Sequence, residues 1–497
     1  MKLEKQQQRD LMVIFALGIG FRLALLLLFS VPYGNDAAGR LYFRDTIWTW
    51  HWLPVTQFLV YGGFALTHSI FVVRLLFALI GSLAAVAFTF YLQKFATRRA
   101  AVIGGVLFTL NAQLVFLSLM PYQEVVLLGL LFGFLSFFMK DEEPANGFLF
   151  GSLLYGLACL TRYEAWFVLP ALFIARVWQG KPKLLRVFLT SVIGFGWGPA
   201  LWLFSNWMQW GDATAFLFHR SDQQFYAWAP HAELLRIIDY LGMMSYWLLR
   251  FGSPLILFAL PGMIVGWRNR KILLPQIWPV LLLFGMVLLF LIFVAGKEFA
   301  GANRFASIPL AIMLIFTALG ADYVLARVES RWRDAQQMAT IKKWGAALLL
   351  LALLVYGALP VAKANALPEF RTPHEVAQFL QQNLRSGERA IVIGESIDGA
   401  VPMPYQRIYG QLKFAKQDLL CAALLEPREL ADPWRYLRAQ NVRYVIVFGG
   451  SWQKQENDFK LLNFITASEG VLRPVFARDP AVIYEVPRSS SLKVFEQ

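Results

Sequence analysis

Runs of apolar residues too long for a globular core constrain this chain more than any other feature. Residues 71–93 carry one charge, Arg74, and 346–359 read AALLLLALLVYGAL with none. An α-helix of about 20 apolar residues spans the roughly 30 Å of a bilayer's hydrocarbon interior. Eleven such spans are predicted, at about 11–31, 71–93, 101–120, 122–139, 147–161, 165–178, 187–206, 243–266, 273–295, 305–326 and 344–362. Over 497 residues, 58% are hydrophobic and 16% charged, against about 45–50% and 25% in soluble domains. These figures exclude a soluble enzyme, a disordered scaffold and a secreted disulfide scaffold. A β-barrel is excluded too, because its strands alternate over about 10 residues. The expected fold is a polytopic α-helical membrane protein.

The net charge of +14 is explained by where the charges fall, and no nucleic-acid partner is expected. Nineteen Lys and Arg lie at one alternating set of span ends, among them Lys5, Arg98, Lys140, Lys183, Lys271 and Arg327. Seven lie at the other: Arg40, Arg44, Arg162, Arg220, Arg236, Lys297 and Arg304. The positive-inside rule makes the first set cytoplasmic. The N-terminus is then inside, and an odd number of spans leaves the C-terminus outside. The first span lacks a small-x-small cleavage site and reads as an uncleaved anchor. Outer loops 32–70 and 207–242 are long, while inner loops are short apart from 327–343, so the chemistry is expected outside.

Composition turns polar after Lys363. Residues 389–394, 443–448 and 481–486 read as short buried strands, and 373–384, 433–440 and 453–468 as helices. The expected organisation is a transmembrane domain over 1–363 and an extracytoplasmic α/β domain over 364–497. Cys159 and Cys421 have no CxxC or Cys/His spacing, so no zinc or redox centre is expected.

Candidate site residues cluster at the outer edge. Asp36 stands just beyond the first span, beside Gly34 and Gly39. It reads either as a general base meeting a half-lipid substrate or as a turn-forming Asp paired with Arg40. Trp48, Trp50 and Trp52 read as an interfacial helix at headgroup depth or as a sugar-stacking platform. Glu124 lies at a membrane edge in a turn with almost no loop. An ionisable group there is costly and faces a cavity or a partner. Arg162 and Glu164, in the next outer turn, either pair with Glu124 or bind substrate. His219, Arg220, Lys297 and Arg304 read as phosphate or pyrophosphate ligands, or as topological flanks contacting headgroups. Arg22, Arg74 and Arg250 sit deeper and are expected to pair with carboxylates or to snorkel. The sequence has no GxxxxGK[ST], HExxH or GxSxG motif, so nothing suggests an ATP-driven pump, a zinc protease or a serine hydrolase. No inverted repeat of broken helices is read.

The segments Asn35–Arg40, Trp52–Pro54, Arg74–Gly81, Gln123-Glu124 and Leu160–Trp166 (LTRYEAW), in that order, resemble the GT-C superfamily of polytopic glycosyltransferases. Within it they resemble the family 39-like group of protein mannosyltransferases and aminoarabinose transferases. That resemblance covers about 30–320. It implies transfer of a sugar from a polyprenyl-phosphate carrier to a protein, lipid or glycan acceptor on the outer face. Asp36 matches the catalytic acid of the first outer loop. Where many members follow that Asp with Glu, this chain has Ala37, and Glu124 is carried as a possible second acid. Arg40, Arg162, Glu164, His219, Arg220, Lys297 and Arg304 are the corresponding substrate-binding candidates. No nucleotide is required, since the donor is already activated. The outer loops have no DxD pair, so no metal is demanded, although a divalent ion is left open. The WWD motif of the oligosaccharyltransferase branch is missing. Terse loops point to a bacterial inner membrane. A flippase of lipid-linked sugars and a scaffold with an outer binding domain are the competing readings.

Overall fold

The computed structural model describes residues 4–48, 52–138, 145–168, 196–215, 245–246, 248–250, 252, 254–269, 281, 306–332, 335–393, 403–412, 418–422, 425, 432–448, 463–465 and 472–487. The chain forms two compact units. The first takes in 1–28, 48–59 and 74–361, and the second 29–47, 60–73 and 362–497. The helices are α1 (Lys5–Leu28), α2 (Asn35–Tyr42), α3 (Pro54–Thr67), α4 (Ile70–Leu92), α5 (Arg98–Leu110), α6 (Ala112–Ser118), α7 (Gln123–Phe138) and α8 (Ala145–Cys159). Then come α9 (Trp197–Trp210), α10 (Ala259–Arg268), α11 (Ser307–Arg331), α12 (Ala335–Ala366), α13 (Pro368–Asn383), α14 (Met403–Tyr409) and α15 (Pro433–Ala439).

Among the described residues, four helices are long and apolar enough to cross a membrane: α1, α4, α11 and α12. The pair α5 and α6 makes a fifth if counted as one span. The chain is thus an integral membrane protein, mostly helical, with a small C-terminal sheet. The predicted spans at 122–139 and 147–161 appear as the shorter apolar helices α7 and α8. Of the span at 165–178, only a 3₁₀ turn at Tyr163–Phe167 and Val168 are described. The span at 273–295 lies almost wholly outside the described residues, as do parts of those at 187–206 and 243–266.

Three expectations are corrected here. The run 101–120 is bent by 56° between α5 and α6. Asn111 makes the break, its side-chain oxygen accepting from the N–H groups of Gln113 and Leu114 at 3.0 and 3.2 Å. It caps α6 and ends α5 at once. The stretch 32–70 is no plain loop, since it holds α2 and α3. Nor is Trp48–Pro54 an interfacial helix: Trp48 and Trp52 are non-helical, 49–51 lie outside the described residues, and the helix starts at Pro54, where proline's fixed φ suits a first turn. Trp48 instead stacks on Trp202, 6.2 Å between centroids.

Arg22 departs from the expectation of a carboxylate partner or snorkelling. Arg22 is fully buried, and its guanidinium donates to Ser118 Oγ at 2.7 Å and to the carbonyls of Thr109 and Gly18 at 3.1 and 3.3 Å. Arg74 Nε donates to the Leu119 carbonyl at 3.1 Å. Each arginine meets carbonyls that the helix breaks set free, at the end of α5 and just past the end of α6. This is how a buried backbone in an apolar environment is satisfied once its own ladder stops. Arg250 donates to Tyr246 Oη at 2.6 Å.

In the second unit a five-stranded sheet has the order β2-β1-β3-β5-β4, with β1 Arg389–Ile393, β2 Leu419–Cys421, β3 Val442–Phe448, β4 Arg473–Arg478 and β5 Ala481–Glu485. Strand β1 is parallel to both neighbours, and β5 is antiparallel to both of its own. Alternation along the strands builds two apolar faces. Ala390, Val392, Tyr444 and Ile446 face α13 and α14, while Ile391, Ile393 and Val445 pack with Leu437 of α15. The predicted strands at 389–394, 443–448 and 481–486 are β1, β3 and β5. Strands β2 and β4 were not predicted. One is three residues long, and the other is an exposed edge carrying Pro474. Of the predicted helix at 453–468, only 463–465 are described, and they are helical.

In the first unit, α10 and α11 touch through backbone. A Cβ on Gly262 would strike the Phe316 carbonyl, and one on Gly320 the Phe258 carbonyl. Backbone cannot swing aside as a side chain does, so Gly262→Ala should cost about 1–3 kcal/mol. A lowered melting temperature of the detergent-solubilised full-length protein is the expected reading; an unchanged one would show that the helices can part freely.

Candidate active site

Two clusters hold the described site candidates, one in each unit. In the first unit Glu124 occupies the first turn of α7 and is 1% exposed. Arg162 and Glu164 are both 5% exposed, at and just inside the 3₁₀ turn that follows α8. Arg162 Nε reaches both carboxylate oxygens of Glu164 at 3.0 Å, and its terminal nitrogens bond one to Glu164 and the other to Glu124. One guanidinium fork therefore bridges two carboxylates. Of the two readings of Arg162 and Glu164, the structure displays the ion pair with Glu124.

Local structure fixes that turn. Trp166 Nε1 donates to the Cys159 carbonyl at 2.9 Å, and Tyr155 Oη to the Ala165 carbonyl at 3.0 Å. The N–H of Val55 donates to the Leu160 carbonyl at 3.1 Å, so the open ends of α3 and α8 satisfy each other. Leu53, Leu160 and Trp202 pack together beside this bond. The RYEAW segment is thus a rigid strut, with Arg162 extended at φ −150°.

In the second unit Asp36 lies in the first turn of α2 and Arg40 in its last. Asp36 is partly exposed and Arg40 is buried. Gly34 enters the helix at φ 86°, a left-handed conformation that glycine adopts without strain. Its carbonyl accepts from Ala38 N at 3.0 Å, the first helical bond. An acidic group in the first turn faces the positive end of the peptide dipoles. The residues that hold α2 in this unit were not singled out from the sequence as site residues: Arg44, Tyr405 and Tyr409. Only the i, i+4 spacing of the two tyrosines signals a shared face.

His219, Arg220, Lys297 and Arg304 lie outside the described residues. Among the described residues, no group of three or more His, Cys, Asp or Glu side chains could hold a metal. Cys159 and Cys421 are buried thiols.

No family model matches the chain, and no curated protein matches it in sequence. Solved structures do. ArnT from Cupriavidus metallidurans bound to undecaprenyl phosphate is similar at a TM-score of 0.64 and 13% identity, over 96% of this chain and 98% of that one. The apo form of the same protein gives 0.55 and 13% over 93% and 96%. The archaeal oligosaccharyltransferase AglB from Archaeoglobus fulgidus, in complex with an inhibitory peptide and a dolichol-phosphate, gives 0.55 and 12% over 89% and 69%. The chain shares its fold with these structures.

The bridged cluster makes a sharp prediction. Arg162→Met leaves two buried carboxylates facing each other and should cost about 3–5 kcal/mol. Adding Glu124→Gln and Glu164→Gln removes the stranded charge and should restore much of that loss. Thermal unfolding of the three proteins tests it: equal melting points for Arg162→Met and wild type would mean that the bridge contributes nothing.

Proposed function

We propose that this protein is a membrane glycosyltransferase that moves a sugar from a polyprenyl-phosphate donor to a protein, lipid or glycan acceptor on the outer face, inverting the anomeric centre. The observation that carries the reading is Asp36. It stands in the first turn of a short helix just beyond the first span, partly exposed, on a fold shared over nearly its whole length with a protein crystallised with undecaprenyl phosphate.

Asp36 takes the proton of the acceptor hydroxyl or amine as that atom bonds to the anomeric carbon. The bond from that carbon to the phosphate oxygen breaks, and polyprenyl phosphate leaves with the electron pair. A base held within hydrogen-bond reach of its proton is worth about 10²–10⁴ in rate. Charge developing on the leaving phosphate calls for preorganised cations. Arg162 is already shared by two carboxylates, so that task is assigned to Arg220, Lys297 and Arg304, with His219 as a further ligand. Glu124 is bonded to Arg162, and its role is to hold Arg162. Arg40 binds substrate one turn along α2 from Asp36. Donor already activated as a phosphate ester makes a nucleotide unnecessary.

In this reading eleven spans carry the chain across a bacterial inner membrane. The N-terminus is cytoplasmic, 1–363 forms the transmembrane domain, and the α/β domain over 364–497 is extracytoplasmic. The basic cytoplasmic ends support that orientation.

The experiment is transfer from radiolabelled polyprenyl-phosphate sugars by the purified protein in lipid nanodiscs. Covalent product is expected from the wild type, with Asp36→Asn lowering turnover by about 10²-fold or more at an unchanged melting temperature. Full turnover in Asp36→Asn would remove Asp36 from the mechanism. Movement of the lipid-linked sugar without product would instead mark a flippase.

A further inference from the structure

The C-terminal sheet domain and the helix carrying Asp36 belong to one compact unit, although more than 300 residues of chain lie between them. The join is specific. Arg44, just past the end of α2, is buried with 2% of its side chain exposed. One of its terminal nitrogens donates to the carbonyls of Tyr409 and Gly410, each at 3.1 Å and across 365 and 366 positions of sequence. Its guanidinium also lies 4.1 Å from the ring centre of Phe64 and 4.7 Å from that of Tyr409. Two aromatic faces and two carbonyls at a helix end are what a planar cation with fork geometry satisfies and an ammonium does not.

Neighbouring contacts lock the same joint. Tyr409 Oη donates to Asp45 at 3.0 Å. Tyr42, the last residue of α2, meets Tyr405 and Tyr409 edge-on at 5.9 and 5.3 Å. Tyr405 Oη donates to the Leu419 carbonyl of β2 at 2.8 Å, carrying the link into the sheet. A Cβ on Gly410 would stand 3.0 Å from Leu41 Cβ, so glycine there allows α2 to lie close against the end of α14. Burial holds the Tyr42 and Tyr405 phenols above their ordinary range, so both stay protonated while the joint is formed. Burial also lowers Arg44 from its ordinary value, and the groups facing it are Tyr409 and Asp45, both of which favour its charged form.

We infer that Arg44 is a positioning residue for the transfer reaction, clamping the Asp36 helix onto α14 so that the C-terminal domain is the mount of the catalytic loop. The inference rests on the reading of Asp36 as the base. A mount of this kind acts on rate more than on donor affinity, because a base displaced by about 1 Å loses on the order of 10²-fold in rate while the donor's own contacts stay in place.

Hydrogen–deuterium exchange of the full-length protein in nanodiscs, together with the radiolabelled transfer assay, tests this. Arg44→Ala and Arg44→Lys should raise exchange over 35–42 by about tenfold or more, because each buried hydrogen bond to a charged group is worth that much. Exchange over Val442–Phe448 should not change, which reports that the sheet is still folded. Donor kcat should fall about tenfold or more with KM within about threefold, and Asp36→Asn should mask the effect, the double variant being no slower than Asp36→Asn alone. Tyr409→Phe keeps the ring and the carbonyl, and should give a smaller change in the same direction. Unchanged exchange at 35–42 in Arg44→Ala overturns the clamp. So does a rise in KM with kcat intact. If exchange rises as expected while Asp36→Asn keeps full turnover, the clamp stands as a structural joint and it is the assignment of Asp36 that fails.

Discussion

An apolar surround gives a peptide group no water to fall back on, and the rest of the first unit follows from that constraint. Within α1, α4, α11 and α12 the helical ladder satisfies the backbone from inside. At Asn111 the ladder stops, and the groups it releases must find partners at once. Asn111 takes two N–H groups, Arg22 takes the Thr109 carbonyl, and Arg74 takes the Leu119 carbonyl. Arg22 and Arg74 both serve as backbone partners. Their cost of burial is offset by carbonyls that would otherwise be stranded. The same accounting explains why Val55 and Leu160 bond across two helix ends.

Charge at the membrane edge follows a related rule. Glu124 can be nearly inaccessible because Arg162 comes with it, and Arg162 can serve two acids because Tyr155 and Trp166 hold its turn rigid. Asp36 is partly exposed and sits at a helix start. The two carboxylates thus differ in setting, one buried in a bridge and the other partly exposed.

How much of this could be read beforehand depended on how local each cause is. Apolar runs report their own spans, so α1, α4 and α11 lie close to where hydropathy puts them. Alternation reports strands, so β1, β3 and β5 were legible, while three-residue β2 was not. The bend at Asn111 was hidden because one polar residue within an apolar run reads as an interruption of composition rather than of geometry. Pairing of Glu124 with Arg162 and Glu164 was legible as one of two readings, since charges at a membrane edge need partners. The grip of Arg44 on Tyr409 was not legible at all. It joins residues 365 positions apart, and nothing in either local sequence names the other.

That last joint has a consequence for how such a chain can be recombined. The compositional border after Lys363 looks like a natural place to graft one C-terminal domain onto another membrane portion. Yet the unit containing that domain also owns 29–47 and 60–73. A graft at the border would set an unfamiliar α14 against the native Leu41, Tyr42 and Arg44, and would leave the donor's own partners behind. The exchangeable module is therefore discontinuous, and drift in the tail is tied to drift in the first loop.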